Sequence, residues 1–394
     1  MRAAPQPFRD HEPRRLAAGV LQRIDWLLVL GAVGLMGCSL FVLAFVTRDD
    51  LGGDPAYFVV RQATYAGIGL LLMFGVARFD YSRLRELRVG VYAVMLISIA
   101  SVLVLGFAAR GSRRWIDIGF FQLQPSELGK LLLIVVLSAF VIDRSWRVSE
   151  AQRTARLLLI GLIPAGFVLI QPDLGTSMVY GVITATVLFV GGVRWTHFAA
   201  LGALSTVAVI GVIVIAPALG TPVLHDYQTS RLTGFVSPSD DPAGQGYQIN
   251  QSKIAIGSGR KTGRGDEATQ SRFDFLPEGR TDFIFAAVGE RYGFVGAALV
   301  LSLYALLIWR ALRILTLSKN LYGALIAGGI VAMLMFQVFI NVGMTLGLAP
   351  ITGIPLPLMS YGGTSVLVTF LALGVLQSIY GQAQLAAKRR EPAF

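Results

Sequence analysis

The chain is 394 residues long, 54% hydrophobic and only 14% charged, with a formal net charge of +11. Soluble domains usually hold about a quarter charged residues, and here the apolar excess falls in repeated runs long enough to cross a bilayer. These features exclude water-soluble and disordered classes and predict an all-α polytopic membrane protein. Cys38 is the single cysteine, which rules out an internal disulfide and a thiolate metal cluster.

Met1 to Gln22 is polar, Pro- and Arg-rich and lacks a cleavage signature, so the first apolar run is expected to remain as a helix. Ten spans follow, at about 26–46, 57–77, 89–108, 125–142, 157–170, 175–193, 198–217, 282–309, 321–348 and 362–380. Counting alternate connections with the N-terminus inside places 20 of the 34 basic residues on the inner side. By the positive-inside rule both termini are then cytoplasmic. The expected organisation is a tail at 1–25, one membrane domain at 26–380 with a large extracytoplasmic loop at 218–281, and a tail at 381–394. Topology thus accounts for the positive charge, and nucleic acid is excluded as a partner. Within the long loop, the glycine-rich run Gly257–Gly265 is expected to be mobile. It lacks the strand and the Gly-Lys-Ser/Thr ending of a phosphate loop.

Four outer segments concentrate polar chemistry. Arg113 and Arg114 break the charge bias beside Trp115, and guanidinium groups grip phosphate in bidentate fashion while the indole anchors at the interface. Glu127 and Lys130 are three residues apart near a helix start, so they share a face. They read equally as a structural ion pair or as a lysine that meets an anionic headgroup with a glutamate orienting it. Asp173, in the turn Gln171-Pro172-Asp173-Leu174, is a turn former or a further cavity carboxylate. Ser360, Tyr361, Gly362 and Gly363 follow two prolines in a rigid loop suited to lining a cavity. The long loop adds Lys253 and Arg280, and ends at Asp282, which opens an apolar helix with Thr281 before it. A carboxylate there is held by the helix start yet faces the water layer; it serves as a cap or as a base that is already deprotonated. No metal-ligand spacing occurs.

Three blocks together are recognisable. Arg114-Trp115 with Gln124-Pro125-Ser126-Glu127 and Lys130, then Gln171 to Thr176, then Leu276-Pro277-Glu278 with Thr281-Asp282-Phe283 and Ser360-Tyr361-Gly362-Gly363 resemble the SEDS family (shape, elongation, division and sporulation) over about residues 24–382. The segment Ala349 to Pro357 is similar to the RodA elongation branch. The resemblance implies a peptidoglycan glycosyltransferase of the bacterial cytoplasmic (inner) membrane, with ten transmembrane helices and an outward-facing site. It polymerises lipid II, releases undecaprenyl pyrophosphate, and works with a class B penicillin-binding protein transpeptidase and other elongation-complex proteins amid membrane lipid. The family's essential aspartate maps onto Asp282. Arg113, Arg114 and Lys130 would offset charge on the departing pyrophosphate, with Trp115, Glu127, Lys253 and Arg280 assigned beside them to substrate binding. Arg280 stands where the family usually has histidine, which removes a proton carrier but preserves phosphate binding. No cofactor is established; a divalent cation, Mg2+ or Mn2+, is compatible with this chemistry. The competing readings are a lipid II flippase and a noncatalytic scaffold of a cell-wall synthase.

Overall fold

The computed structural model describes residues 23–48, 56–109, 112–117, 119, 121–143, 149–210, 244–271, 275–276 and 278–388. Eleven α-helices occur among them: α1 (Trp26–Val46), α2 (Tyr57–Ala77), α3 (Arg88–Leu105), α4 (Pro125–Ile142), α5 (Glu150–Ile170), α6 (Leu174–Val190), α7 (Trp195–Ile210), α8 (Gln245–Ser258), α9 (Ile284–Leu317), α10 (Leu321–Thr345) and α11 (Gly363–Lys388). Eight of these, all but α6, α7 and α8, are long and apolar enough to cross a membrane. Large apolar side chains such as Phe41, Leu71, Val104 and Phe339 stand exposed on the outside. Such a surface suits hydrocarbon and not water, so the chain is a multi-pass membrane protein.

Local chemistry sets the helix ends. Asp25 caps α1 by accepting from the Leu28 amide, Asn320 caps α10, and Ser149 with Gln152 forms a capping box on α5. Pro125 begins α4, where its missing amide costs nothing. Helices α4, α10 and α11 are largely buried, whereas α2, α3, α5 and α9 are mostly turned outward. Glycines allow close approach in the α2–α11 packing: Gly69 abuts Phe370, and Gly374 abuts the Met73 backbone.

Three features depart from the sequence reading. The connection from α3 to α4 is a small antiparallel sheet of β1 (Phe107–Ala109), β2 (Ser112–Asp117) and β3 (Gln122–Leu123), so the fold is helical with one short β meander. Its strands satisfy their amides from each other where the chain leaves the helices. Helix α11 runs to Lys388, past the expected start of the tail at 381, and its last turns are tied down through Gln382, which bonds Asp80 after α2 and Lys319 before α10. The third departure concerns the glycine-rich run, which is built into the structure. Helix α9 breaks at Gly293, at φ 63° and ψ −155°. The amides freed by this break, on Phe294 and Val295, donate to the carbonyls of Arg260 and Lys261 at 2.9 and 3.1 Å. Arg264 N donates to the Glu290 carbonyl at 2.9 Å, and Gly263 lies so close that an added Cβ would sit 2.0 Å from the Arg291 oxygen. Glycine here serves close backbone approach, not mobility.

Candidate active site

Asp282 lies half-buried in the turn that enters α9. The turn is fixed through its backbone. Asn341 Nδ2, from α10, donates to the Asp282 carbonyl at 2.9 Å and to that of Ile354 at 2.9 Å. Ser360 Oγ donates to the Thr281 carbonyl at 2.5 Å while accepting from Leu356 N at 2.8 Å, and Tyr361 N donates to the Arg280 carbonyl at 2.9 Å. Thr281 Oγ1 donates to the Glu278 carboxylate at 2.6 Å. With its main chain pinned on two sides, the aspartate is presented by a rigid mount.

The loop that holds this turn continues into the other two motif blocks. Gln62 of α2 donates to the Ser360 carbonyl at 3.1 Å and accepts from Gly362 N at 3.4 Å, and Gly363 lies against the Tyr65 ring. Thr364 Oγ1 donates to the Gln122 carbonyl at 2.7 Å and accepts from Gln124 N at 3.2 Å. Gln124 Nε2 in turn donates to Asp173 Oδ2 at 3.1 Å. Residues 360–364 therefore join the turn bearing Asp282 to the segments at 122–130 and 171–176.

Asp173 does more than shape its turn. It caps α6 through the Thr176 amide at 3.1 Å and pairs with Arg114 at 3.7 Å. The Arg114 guanidinium also donates to the carbonyls of Gln171, at 3.3 Å, and Pro172. Arg114 is thus committed to this turn rather than held out for phosphate. One helical turn into α4, Lys130 Nζ donates to Glu127 Oε1 at 2.6 Å, with both side chains at most 4% exposed. Burial of the pair favours its structural reading, since each charge offsets the desolvation cost of the other. Tyr180 packs beside it, donating to the Ser126 carbonyl at 2.9 Å.

The remaining expected residues spread out. The Arg280 guanidinium lies 4.8 Å from the centre of the Phe58 ring, which meets Tyr361 edge to face at 5.0 Å. Burial, aided by Tyr65 and opposed by Arg61, pushes the Tyr361 hydroxyl up to about 12, so it keeps its proton at neutral pH. Trp115 is half-buried in β2, paired across the strand with Phe107, whereas the Arg113 side chain lies outside the described residues. Lys253, on α8, packs against Gly347 after α10, and neighbouring Ser252 donates to the Thr345 carbonyl at 2.7 Å. None of these contacts ties it to the stitched loop. Ser360 is buried and acts as a strut between the Thr281 carbonyl and the Leu356 amide. Among the described residues no three His, Cys, Asp or Glu side chains gather as a metal site.

Sequence reasoning passed over Asn341, Gln62, Arg61 and Glu290. Each is a polar side chain inside or beside an apolar run, which is a signal of function or of specific pairing. Glu290 is fully buried and accepts from the amides of Gln270 and Ser271 at 2.8 and 2.9 Å and from Ser271 Oγ at 2.6 Å, which clamps the preceding loop to α9.

Residues 22–385 match the FtsW/RodA/SpoVE family, described as cell cycle proteins. The chain is 36% identical to the stage V sporulation protein E of Bacillus subtilis, covering 90% of this chain and 96% of that one. It is 35% identical to the peptidoglycan glycosyltransferase MrdB of Escherichia coli, covering 93% and 95% respectively. Among solved structures, a chain described under the structural coordination of polymerization and crosslinking by a peptidoglycan synthase complex superposes with a TM-score of 0.73 at 30% identity. It covers 94% of this chain and 99% of that one. The rod shape determining protein RodA of Thermus thermophilus superposes at 0.66 with 28% identity, covering 94% and 98%. With a match that spans nearly every described helix and relatives above 30% identity along their whole length, the chain belongs to the FtsW/RodA/SpoVE family, the SEDS peptidoglycan glycosyltransferases.

Proposed function

We propose that this peptidoglycan glycosyltransferase extends glycan strands from lipid II during elongation and that Asp282 is its general base. The observation that carries the assignment is the mount of Asp282: a half-buried carboxylate on a turn locked by Asn341 and Ser360 and joined through residues 360–364 to both other motif blocks. The 4-hydroxyl of the acceptor sugar attacks the anomeric carbon of the donor, its proton passes to Asp282, and the glycosidic bond to undecaprenyl pyrophosphate breaks. A base of low pKa suffices when the hydroxyl is pressed against it and the leaving group is good. Arg280, permanently charged and two residues away, is the cation best placed to offset charge on the pyrophosphate. Arg114 and Lys130, each held in an ion pair, set the shape of the surrounding segments.

The reading includes ten membrane helices, cytoplasmic termini and an outward-facing site in the cytoplasmic membrane, supported by the distribution of basic residues. It also includes a class B penicillin-binding protein that supplies crosslinking, supported by the likeness to a chain from a peptidoglycan synthase complex. Initial rates of glycan polymerisation by purified protein, with its transpeptidase and saturating lipid II, test the base. Asp282→Asn keeps the size of the side chain and is expected to slow turnover by roughly 10² to 10⁴-fold while leaving monodispersity and partner binding intact. Near-native turnover sinks the assignment. Headgroup movement in sealed liposomes without any polymer would favour the flippase instead.

A further inference from the structure

A cavity of about 670 Å³ opens at the end of the molecule remote from Asp282. Helix α11 begins beside the Asp282 turn and lines this cavity from Gln377 onward, about 21 Å further along the helix axis at 1.5 Å per residue. The walls come from the start of α1, the end of α2, the α9–α10 connection and the last turns of α11. Arg23, Arg78 and Lys319 contribute three cations, and Asp80 is the one lining acid.

These charges do not cancel among themselves. The Asp80 carboxylate accepts from the Ser82 amide at 2.9 Å and from Gln382 Nε2 at 2.8 Å. Burial opposes its ionisation, yet these bonds and nearby Lys319 hold it below the usual carboxylate range, so it is charged at neutral pH. Lys319 is tethered to Gln382, which bridges it to Asp80. Arg23 and Arg78 remain exposed and have no ion-pair partner among the described residues. The neighbouring buried cation, Arg310, is already neutralised by Asp25 through two bonds from Nε at 3.1 and 2.9 Å and a third from the guanidinium terminus. Beside the cations and Asp80 the lining is mixed: Ile24, Phe79 and Leu385 give an apolar wall, and Gln377, Ser378 and Gln382 add polar side chains.

We infer that this cavity binds the phosphate headgroup of an anionic phospholipid from the leaflet at that face, its acyl chains lying along the apolar wall. Two unpaired guanidinium groups set between membrane-helix ends are suited to this ligand. A free phosphate shares the headgroup chemistry but would leave the apolar wall unused.

The full-length protein in detergent, titrated with phosphatidylglycerol or phosphatidylcholine and read by native mass spectrometry, tests the site. Wild type is expected to bind phosphatidylglycerol at least 10-fold more tightly than phosphatidylcholine. At roughly 5-fold per cation, Arg23→Gln with Arg78→Gln should weaken phosphatidylglycerol binding about 25-fold. Arg78→Lys should retain most of it, and Arg313→Gln, an exposed arginine outside the cavity lining, should leave it unchanged. Equal binding of both lipids by wild type, or unchanged selectivity in the double variant, overturns the proposal. A loss in Arg313→Gln as large as in Arg78→Gln also overturns it, by showing diffuse attraction. Displacement of the lipid by low-millimolar inorganic phosphate would reassign the site to the soluble ion.

Discussion

Removing either partner of the buried Glu127–Lys130 pair should destabilise the protein far more than removing both. The pair is closed at 2.6 Å with both side chains at most 4% exposed, so an orphaned charge has little water to turn to. Lys130→Met strands the Glu127 carboxylate and Glu127→Gln strands the Lys130 ammonium, and each should cost about 3–5 kcal/mol. Glu127→Gln with Lys130→Met leaves no charge behind and should sit within about 1.5 kcal/mol of wild type. The assay is the temperature at which half of the monodisperse size-exclusion peak is lost, measured for the four proteins in one buffer. Single variants as stable as wild type, or a double variant as damaged as their sum, would refute the argument. Polymerisation by the stable double variant then separates the roles: full activity removes both residues from the chemistry, and stability without activity returns Lys130 to the substrate.

Three further outcomes follow from contacts made elsewhere. Gly263→Ala places a Cβ 2.0 Å from the Arg291 carbonyl at a backbone φ of +85°, so it should unseat the loop, cost about 1–3 kcal/mol and hasten limited proteolysis between residues 259 and 267. Arg310→Met strands the buried Asp25 carboxylate, which also caps α1 and stands on a backbone whose amide and carbonyl are both bonded to the Gln377 side chain; about 3–5 kcal/mol of thermal stability should go, whereas Asp25→Asn with Arg310→Met should recover much of it. Asp173→Asn keeps the cap on α6 but loses the attraction for Arg114 and turns a donor toward Gln124, so its melting point should fall more than that of Asp282→Asn even though its initial polymerisation rate falls less.

Spans were legible where an apolar run ends sharply. The expected segments 26–46 and 125–142 coincide with α1 and α4 because the Asp25 cap and Pro125 in the first turn each start a helix by a local mechanism, and 57–77 coincides with α2. The apolar run from 282 gave no hint of a break, since Gly293 is one small residue among many and its role depends on backbone supplied by residues 260–264. The same dependence misled the reading of residues 257–265, where glycine content suggested freedom while the partner that removes it lies some thirty residues away in sequence. Arg310 was counted as one of many inner-face cations, yet it turns inward to an acid 285 positions earlier. Glu290 and Asn341 were passed over although each is a polar side chain in an apolar run; their partners are mostly main-chain groups, and no residue type marks a backbone amide or carbonyl.

The distribution of charge also bears on which residues act on substrate. Glu127 with Lys130, Asp173 with Arg114 and Asp25 with Arg310 are all closed pairs, each with a side chain at most 4% exposed. A charge so placed is costly to uncover, because a ligand that draws one partner away strands the other in the interior. Such pairs suit holding helices at a fixed spacing, and the place of the first two in the motif blocks fits a scaffold that must not yield when a large lipid-linked sugar binds. Asp282 and Arg280 have a different setting: both are half-buried, both leave a turn whose fixing bonds are made by main-chain carbonyls, and the Arg280 guanidinium rests on the face of Phe58. Fixing the backbone while leaving the side chains partly open lets the charges meet substrate without dismantling their support. With Asp282 as the proposed base, the motif residues divide into closed pairs that keep the site rigid and one turn that carries the base, and loss of Ser360 or Asn341 should lower turnover by displacing Asp282.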